Sequence, residues 1–204
     1  MLKLDHLAVA ATDLEEGRAH IESSLDATMQ PGGKHANFGT HNMLLGLEDG
    51  IYLEAIAIDP DAPDPGRRRW FDLDDFTGPP RLTNWICQTE DIDAALALAP
   101  AGMGPATDQR RGDLHWQMAA GENGHLPLAG TFPAVIAWGK APHPSTRLAS
   151  TGIRLERLIV TSPVADALRS NLRHVLADAR IVIEQGEKAL RAEFATPSGR
   201  RVLE

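Results

Sequence analysis

The feature that most constrains this chain is a repeated pattern, in which a strand-like run leads into a helix with an acidic N-terminal cap. Placing Leu82 on Leu4 also brings Asp91 onto Asp13, and the same rhythm starts a third time near Leu155. A unit of this kind cannot bury its apolar face alone, so repeated units imply modules that pack together. The repeat predicts an α+β fold built from βαβββ modules.

Proline-rich and apolar segments divide the chain into three units. The first module covers residues 1–66 and ends in 59–66, where the prolines exclude a helix or a central strand. Residues 67–80 form a linker whose aromatic side chains predict packing as a short helix or a lid. The second module covers residues 81–145, and residues 151–204 are expected to form a C-terminal βαββ-type unit. We expect the units to form one globular domain.

Two further expectations concern connections. Residues 31–35 contain one proline and two glycines, which predicts a loop that could act as a lid over a binding site. In the last unit, residues 181–184 and 190–195 are expected to form a hairpin over Gly186.

Two predicted strands each carry one polar side chain among apolar neighbours. His6 leaves the strand on the face opposite Leu7 and Val9, because alternate residues of a strand point to opposite faces. Glu54 lies in another apolar strand, where burial of a carboxylate is costly without a partner. His6 and Glu54 together predict half of a metal site.

The turn before Glu54 decides which neighbouring side chain joins it. A two-residue turn at Asp49 and Gly50 would place His41 on the face of Glu54, although displaced along it. A turn one residue longer would place Asn42 there instead, because a shift of one residue turns every side chain to the other face. Both alternatives stay open at this point.

Charge and cysteine content argue against several classes of function. The net charge of -8 at pH 7 disfavours nucleic acids and anionic membrane surfaces as partners. The single cysteine, Cys87, cannot form an internal disulfide, which fits a cytoplasmic protein. No apolar run approaches the roughly 20 residues that cross a bilayer. Neither a P-loop nor a nucleophile elbow is present.

A set of short motifs resembles the glyoxalase-like branch of the vicinal oxygen chelate superfamily. They follow the order of that family over most of the chain. The motifs are Leu4-Asp5-His6-Leu7, Asp13-Leu14, Gly39-Thr40-His41-Asn42, Tyr52-Leu53-Glu54, Leu114-His115-Trp116-Gln117, Phe132-Pro133, Trp138-Gly139 and His143-Pro144-Ser145.

The resemblance implies paired βαβββ modules whose curled mixed sheets enclose a cup. It also implies one divalent metal ion (Fe, Mn, Ni or Zn) that binds two neighbouring oxygens of the substrate, with His6 and Glu54 as its ligands from the first module. The second module departs from this pattern, because Asn84 and Ala134 stand at the equivalent positions. An alanine cannot bind a metal, so the implied site is incomplete.

Other side chains are candidates to complete the site. His41 is the candidate third metal ligand, and His115 is an alternative from the second module. His115 and Trp116 are neighbours on one strand, so only one of them can face the cup. The substrate pocket is expected to contain Asn42, Asn84, His115, Trp116 and Trp138.

Two functions fit these features, both with a small molecule as partner. One is a lyase, isomerase or dioxygenase-type enzyme in which His6 and Glu54 hold the metal, or in which burial raises the pKa of Glu54 and makes it a base for a carbon acid. The other is a metal-free protein that binds or sequesters its ligand between tryptophan rings, which the missing ligands favour. A homodimer formed through the C-terminal unit is a further expectation.

Overall fold

The computed structural model describes residues 1–204, which form twelve strands and four α-helices. The strands are β1 (Lys3–Ala10), β2 (Gln30–His35), β3 (Thr40–Gly46), β4 (Tyr52–Ile58), β5 (Arg81–Gln88), β6 (Thr107–Arg111), β7 (Leu114–Ala119), β8 (Ala134–Ala137), β9 (Arg154–Ser162), β10 (Ile181–Gln185), β11 (Ala189–Thr196) and β12 (Gly199–Leu203). The α-helices are α1 (Leu14–Leu25), α2 (Ile92–Ala97), α3 (Pro127–Gly130) and α4 (Ala165–Leu172), and 3-10 helices cover Glu48–Gly50, Trp70–Asp75 and Pro144–Arg147.

The first eight strands form one sheet in the order β2-β3-β4-β1-β5-β8-β7-β6. Each half is a βαβββ module whose first and last strands are neighbours and run parallel: β1 pairs with β4, and β5 pairs with β8. The antiparallel pair of β1 and β5 joins the modules. The sheet curls until its two end strands approach, where Asn37 donates a hydrogen bond to the carbonyl of Asp108 at 3.0 Å. The predicted fold class is confirmed.

The sequence repeat corresponds to a structural repeat with the same caps. The Asp13 carboxylate accepts hydrogen bonds from the backbone N–H groups of Glu15 and Glu16, and the Asp91 carboxylate accepts one from Ala94. An aspartate at this position satisfies backbone donors that the first helical turn leaves free. Both helices therefore begin where the sequence indicated.

The segment predicted as a loop at residues 31–35 is instead most of strand β2, which pairs with β3. Its proline and glycines are poor strand formers, but β2 is an end strand, where proline is tolerated. The sequence could not show that pairing with β3 outweighs these weak propensities. The prediction of a lid at this segment was wrong.

The C-terminal unit also differs from the prediction, because it has three strands after its helix. Its sheet has the order β10-β9-β11-β12, so β10 and β11 flank β9 and do not form a hairpin over Gly186. Helix α4 carries the chain across the sheet, which places β10 parallel to β9. The hairpin joins β11 to β12 instead. The role of this unit in a homodimer stays a prediction.

The linker packs as the sequence indicated. Its 3-10 helix at Trp70–Asp75 buries Trp70, Phe71 and Leu73 against the first module. The Arg69 guanidinium pairs with the Asp74 carboxylate at 2.6 Å, which explains the acidic residues beside the arginine run. None of the helices is long and apolar enough to span a membrane.

Candidate active site in the cup

The register of β3 and β4 decides between Asn42 and His41. Leu47 N–H still donates to the carbonyl of Ile51 at 3.0 Å, so the turn itself has three residues, Glu48–Gly50. In this register Leu44 lies opposite Glu54, and Asn42 lies opposite Ile56. The longer turn therefore occurs, and it places Asn42 on the face of Glu54. His41 lies opposite Ala57 on the other face of the sheet. The prediction that His41 shares the site was wrong because of this shift of one residue.

A β-bulge brings two consecutive polar residues into the cup. Leu4 pairs with Cys87 and His6 pairs with Ile86, which leaves Asp5 as an extra residue without a partner on β5. A bulge of this kind changes the direction of a side chain, which strict alternation would have turned to the opposite face. Asp5 and His6 are both buried and in contact, with 2.6 Å between Asp5 Oδ1 and His6 Nδ1.

The Asp5 carboxylate accepts hydrogen bonds from three side chains. Besides His6, the Trp138 indole N–H donates to Oδ2 at 2.9 Å, and His143 Nε2 donates to the same oxygen at 3.0 Å. His143 Nδ1 accepts from the backbone N–H of Ser145 at 3.3 Å, so its proton lies on Nε2. Burial alone would raise the pKa of Asp5, but the hydrogen bonds from His143 and His6 outweigh it and hold this pKa well below its ordinary value.

His6 connects Asp5 to Glu54. His6 Nε2 lies 3.5 Å from Glu54 Oε2, and the Asn42 amide donates to Glu54 Oε1 at 2.5 Å. Burial opposes the charge on His6, yet its hydrogen bonds to Asp5 and Glu54 raise the pKa to about 9. Burial would likewise raise the pKa of Glu54, as the sequence suggested, but the hydrogen bond from His6 and its charge lower it. The site therefore holds an imidazolium between two carboxylates.

His35, Tyr52 and Arg111 surround this chain of hydrogen bonds, and sequence reasoning did not select them. The Tyr52 ring stacks on His6 with 4.4 Å between centroids. Burial lowers the pKa of His35 to about 4, and His35 Nδ1 lies 2.9 Å from Thr40 Oγ1. Arg111 comes from β6 of the second module, and its guanidinium donates to Asn42 Oδ1 at 3.2 Å. Among these three residues, only His35, at the end of a Gly-Gly-Lys-His run, carries a local sequence signal that could have marked it as a site residue.

A cavity of about 30 Å³ lies between these groups. His6 and Glu54 border it, and its aromatic wall consists of Tyr52, Trp70, Phe71, Trp116 and Trp138. Of the predicted pocket residues, Asn42, Trp116 and Trp138 border this cavity. The cup is therefore largely filled by its own aromatic side chains.

The other two predicted pocket residues lie elsewhere. His115 is exposed, because Trp116 is the member of that pair that points into the cup. Asn84 is buried opposite Ala8, away from the cavity, and its Oδ1 has no hydrogen-bond partner. Placing both in the pocket was wrong, since strand alternation and the position along β5 turn them away from it.

The donor set does not fit a metal ion held by this chain alone. Asp5 supports His6 Nδ1 as a carboxylate behind a metal-bound histidine would, but catalytic metal sites need about three protein ligands. In the first module, Ala8 of β1 pairs with Glu54 of β4. In the second module, the equivalent residue of β5, Ile86, pairs with Ala134 of β8, so a methyl group occupies the position equivalent to Glu54. No group of three or more histidine, cysteine or acidic side chains is arranged to hold a metal.

Gly32 leaves space for the side-chain amide of Asn42, which holds Glu54 in position by a hydrogen bond. A Cβ atom on Gly32 would overlap the side chain of Asn42 and would stand 2.8 Å from its backbone oxygen. Gly32→Ala is therefore expected to lower the free energy of unfolding by about 1–3 kcal/mol, as overpacking does. Urea unfolding measures this loss, with Pro31→Ala on the exposed side of β2 as the control. Equal stabilities of the two variants would contradict this account of the close approach.

Comparison with known proteins agrees with this architecture. The chain matches the model of the glyoxalase-like domain over residues 4–176. It is similar to a hypothetical protein from Staphylococcus aureus, with 17% identity and a TM-score of 0.63 over 92% of this chain and 87% of that chain. A methylmalonyl-CoA epimerase from Streptomyces coelicolor has 15% identity and a TM-score of 0.46, over 68% of this chain and 98% of that chain.

No curated protein matches the chain. The family model nevertheless covers most of its length and both paired modules. The chain therefore belongs to the glyoxalase-like domain family, which its motifs resemble.

Proposed function

We propose that this protein is a small-molecule enzyme, an isomerase or lyase, that moves a proton from a carbon next to a carbonyl group. The observation that carries the proposal is the buried imidazolium of His6 between the carboxylates of Asp5 and Glu54, beside a cavity. Charged groups are costly to bury, so a charged chain that lines a cavity favours a catalytic role over a purely structural one.

Each residue of the chain has a chemical role in this proposal. Glu54 Oε1 is held by Asn42, while the 3.5 Å to His6 leaves Oε2 only loosely bound. Oε2 would take the proton from the substrate carbon, and the C–H electron pair would move to the carbonyl oxygen. The N–H of His6 Nε2 would donate to that oxygen and stabilise the enolate. Return of the proton completes an isomerisation, and loss of a group from the next carbon completes an elimination.

Asp5 acts through His6 in this scheme. Its hydrogen bond to Nδ1 orients the imidazole and keeps the ring protonated, so that Nε2 carries a proton toward the cavity. The proposal needs no protein-bound metal, because no donor set in this chain fits one. Treatment with a chelator is accordingly expected to leave the activity unchanged.

Substrate access requires movement of the linker. A cavity of about 30 Å³ has room for a water molecule or two, not for an organic substrate. Trp70 borders both this cavity and an outer pocket of about 390 Å³, and Phe71 borders both it and an outer pocket of about 490 Å³. Phe71 and Asp72 have φ angles of 62° and 55°, a conformation that costs of order 1–3 kcal/mol per residue. A shift of this strained 3-10 helix would join the cavity to the outer pockets.

A binding or sequestering protein is the second candidate. Trp70, Trp116 and Trp138 all border the cavity, and stacking of an apolar or aromatic ligand between such rings needs no reaction. This function predicts ligand binding that survives substitution of Glu54 and is followed by no chemical change.

Hydrogen exchange on carbon separates the two candidates. We expect the protein to catalyse exchange of C–H for C–D in D₂O on members of a panel of ketones, aldehydes, thioesters and oxo acids, followed by proton NMR. Glu54→Gln is expected to slow exchange roughly 100- to 10,000-fold, the usual contribution of a general base. Glu187→Gln, at an exposed position, is the matched control and should keep full activity. Equal rates in the wild type and Glu54→Gln would contradict the proposal.

A further inference from the structure

We propose that Arg111 is the anchor for a carboxylate of the ligand, so that the substrate class of this site is a small organic acid. This inference rests on the proposed function, because it assigns the substrate of the same cavity. It uses a residue from the second module, whereas the proposed chemistry lies on the first. The cup would then require both modules, one for proton transfer and one for recognition.

Arg111 carries an unpaired charge at the edge of the cavity. Many arginines of this chain pair with a carboxylate within 4.0 Å, among them Arg69, Arg147 and Arg180. Arg111 has no acidic partner, although its side chain is partly buried and borders the cavity. Its hydrogen bond to Asn42 occupies one of five N–H donors. Partial burial of an unpaired guanidinium is costly, and a bound anion would offset that cost.

Strand β2 leaves space for this side chain. A Cβ atom on Gly33 would stand 2.5 Å from Arg111 Cδ, closer than real Cβ contacts come. Glycine at position 33 therefore lets Arg111 extend along the end strand of the other module into the cup. The Trp116 ring lies below the guanidinium, 5.8 Å from ring centroid to Cζ, and helps to orient its plane.

A buried indole points to a ligand with acceptor atoms. Trp70 borders the same cavity, and its buried indole N–H has no acceptor in the chain. An unsatisfied buried donor costs about 1–3 kcal/mol, which an oxygen of the ligand would recover. Arg111 and Trp70 both border the cavity, and each retains a donor without a partner in the chain.

Geometry favours a carboxylate over a neutral ligand. The planar guanidinium matches a carboxylate with two parallel hydrogen bonds, which lysine cannot reproduce. One amide, that of Asn42, connects Arg111 to Glu54. A short acid anchored at Arg111 would therefore have its adjacent carbon near the catalytic carboxylate.

Tryptophan fluorescence tests the anchor without knowledge of the substrate. Acetate is the probe, acetamide is its neutral isostere, and Trp116 beneath the guanidinium is the reporter. We expect saturable binding of acetate and much weaker binding of acetamide to the wild type. Arg111→Met should weaken acetate binding about 10- to 100-fold, the value of a charge-assisted hydrogen bond. Arg110→Met, at the exposed neighbouring position of β6, is the matched control and should bind as the wild type does.

Two further variants keep the test informative. Arg111→Lys retains the charge and should recover only part of the affinity, whereas Gly33→Ala retains the arginine and should weaken acetate binding by displacing it. Equal acetate affinities of the wild type and a folded Arg111→Met would overturn the inference. So would equal binding of acetate and acetamide, or the absence of saturable acetate binding to the wild type.

The outcome is independent of the exchange experiment. Acetate binding that depends on Arg111 but survives Glu54→Gln supports the anchor, even if no carbon acid exchanges and the proposed chemistry falls. Exchange that depends on Glu54 but runs equally fast on oxo acids in the wild type and Arg111→Met would overturn the anchor and leave the chemistry in place.

Discussion

Asp5→Asn is expected to lower the free energy of unfolding by about 3–5 kcal/mol, the range for removal of one member of a buried charge pair. Asp5 accepts hydrogen bonds from His6, Trp138 and His143 through its two oxygens. An amide presents one oxygen and one NH₂ group, so one side of the substituted side chain would place a donor against a donor. Urea unfolding at pH 7 followed by circular dichroism measures the loss.

Asp13→Asn is the matched control for this change. Asp13 is exposed and caps α1 by accepting from two backbone N–H groups, a task that asparagine performs about equally well. The same chemical substitution should therefore change stability by less than about 0.5 kcal/mol at this position. A similarly small effect at Asp5 would show that its three donors find water or other partners.

Stability is expected to peak near pH 6.5 and to fall on both sides through two different histidines. The pKa of His6 is raised from 6.5 to about 9, so the folded state keeps a proton that the unfolded chain releases, and stability falls as pH rises through this window. The pKa of His35 is lowered from 6.5 to about 4, so the unfolded chain binds a proton first, and stability falls as pH drops from 6.5 toward 4. Across each of these two pH windows, the free energy of unfolding is expected to change by about 3 kcal/mol.

Urea unfolding between pH 4.5 and 8.5 measures stability as a function of pH and separates the acid limb of this profile from the alkaline limb. This range ends before the buried Cys87 contributes, because burial raises its pKa above the ordinary value of about 9 and only the unfolded thiol would ionise there. Asp5→Asn should flatten the alkaline limb by removing the main acceptor that raises the pKa of His6. His35→Asn should flatten the acid limb and leave the alkaline one. A profile that neither substitution alters would contradict both assignments.

Part of the site was predictable because its signals are local. His6 and Glu54 stand out as polar residues in apolar strands, and the structure brings both to one cavity. The absence of a matching pair in the second module followed from the repeat, and the register of β5 with β8 agrees with it. The choice between His41 and Asn42 was reduced to the length of one turn, and that turn proved to be three residues long.

Other parts depended on contacts between distant segments. His143 and Trp138 reach Asp5 across more than 130 positions of sequence. Arg111 enters the cup only because β2 and β6, the two ends of the sheet, approach each other. Nothing in the motif around Arg111 distinguishes it from its neighbour Arg110, which points to solvent.

The sequence by itself determined the modules, their capped helices and the pair His6 and Glu54, because strand alternation and helix capping are short-range effects of the backbone. Only the tertiary structure decided that Asp5 turns into the cup, that Asn42 rather than His41 holds Glu54, and that Arg111 borders the cavity. A bulge or a turn of one extra residue exchanges the two faces of a strand. Which of these occurs depends on the hydrogen bonds and packing that form once the modules have closed the sheet.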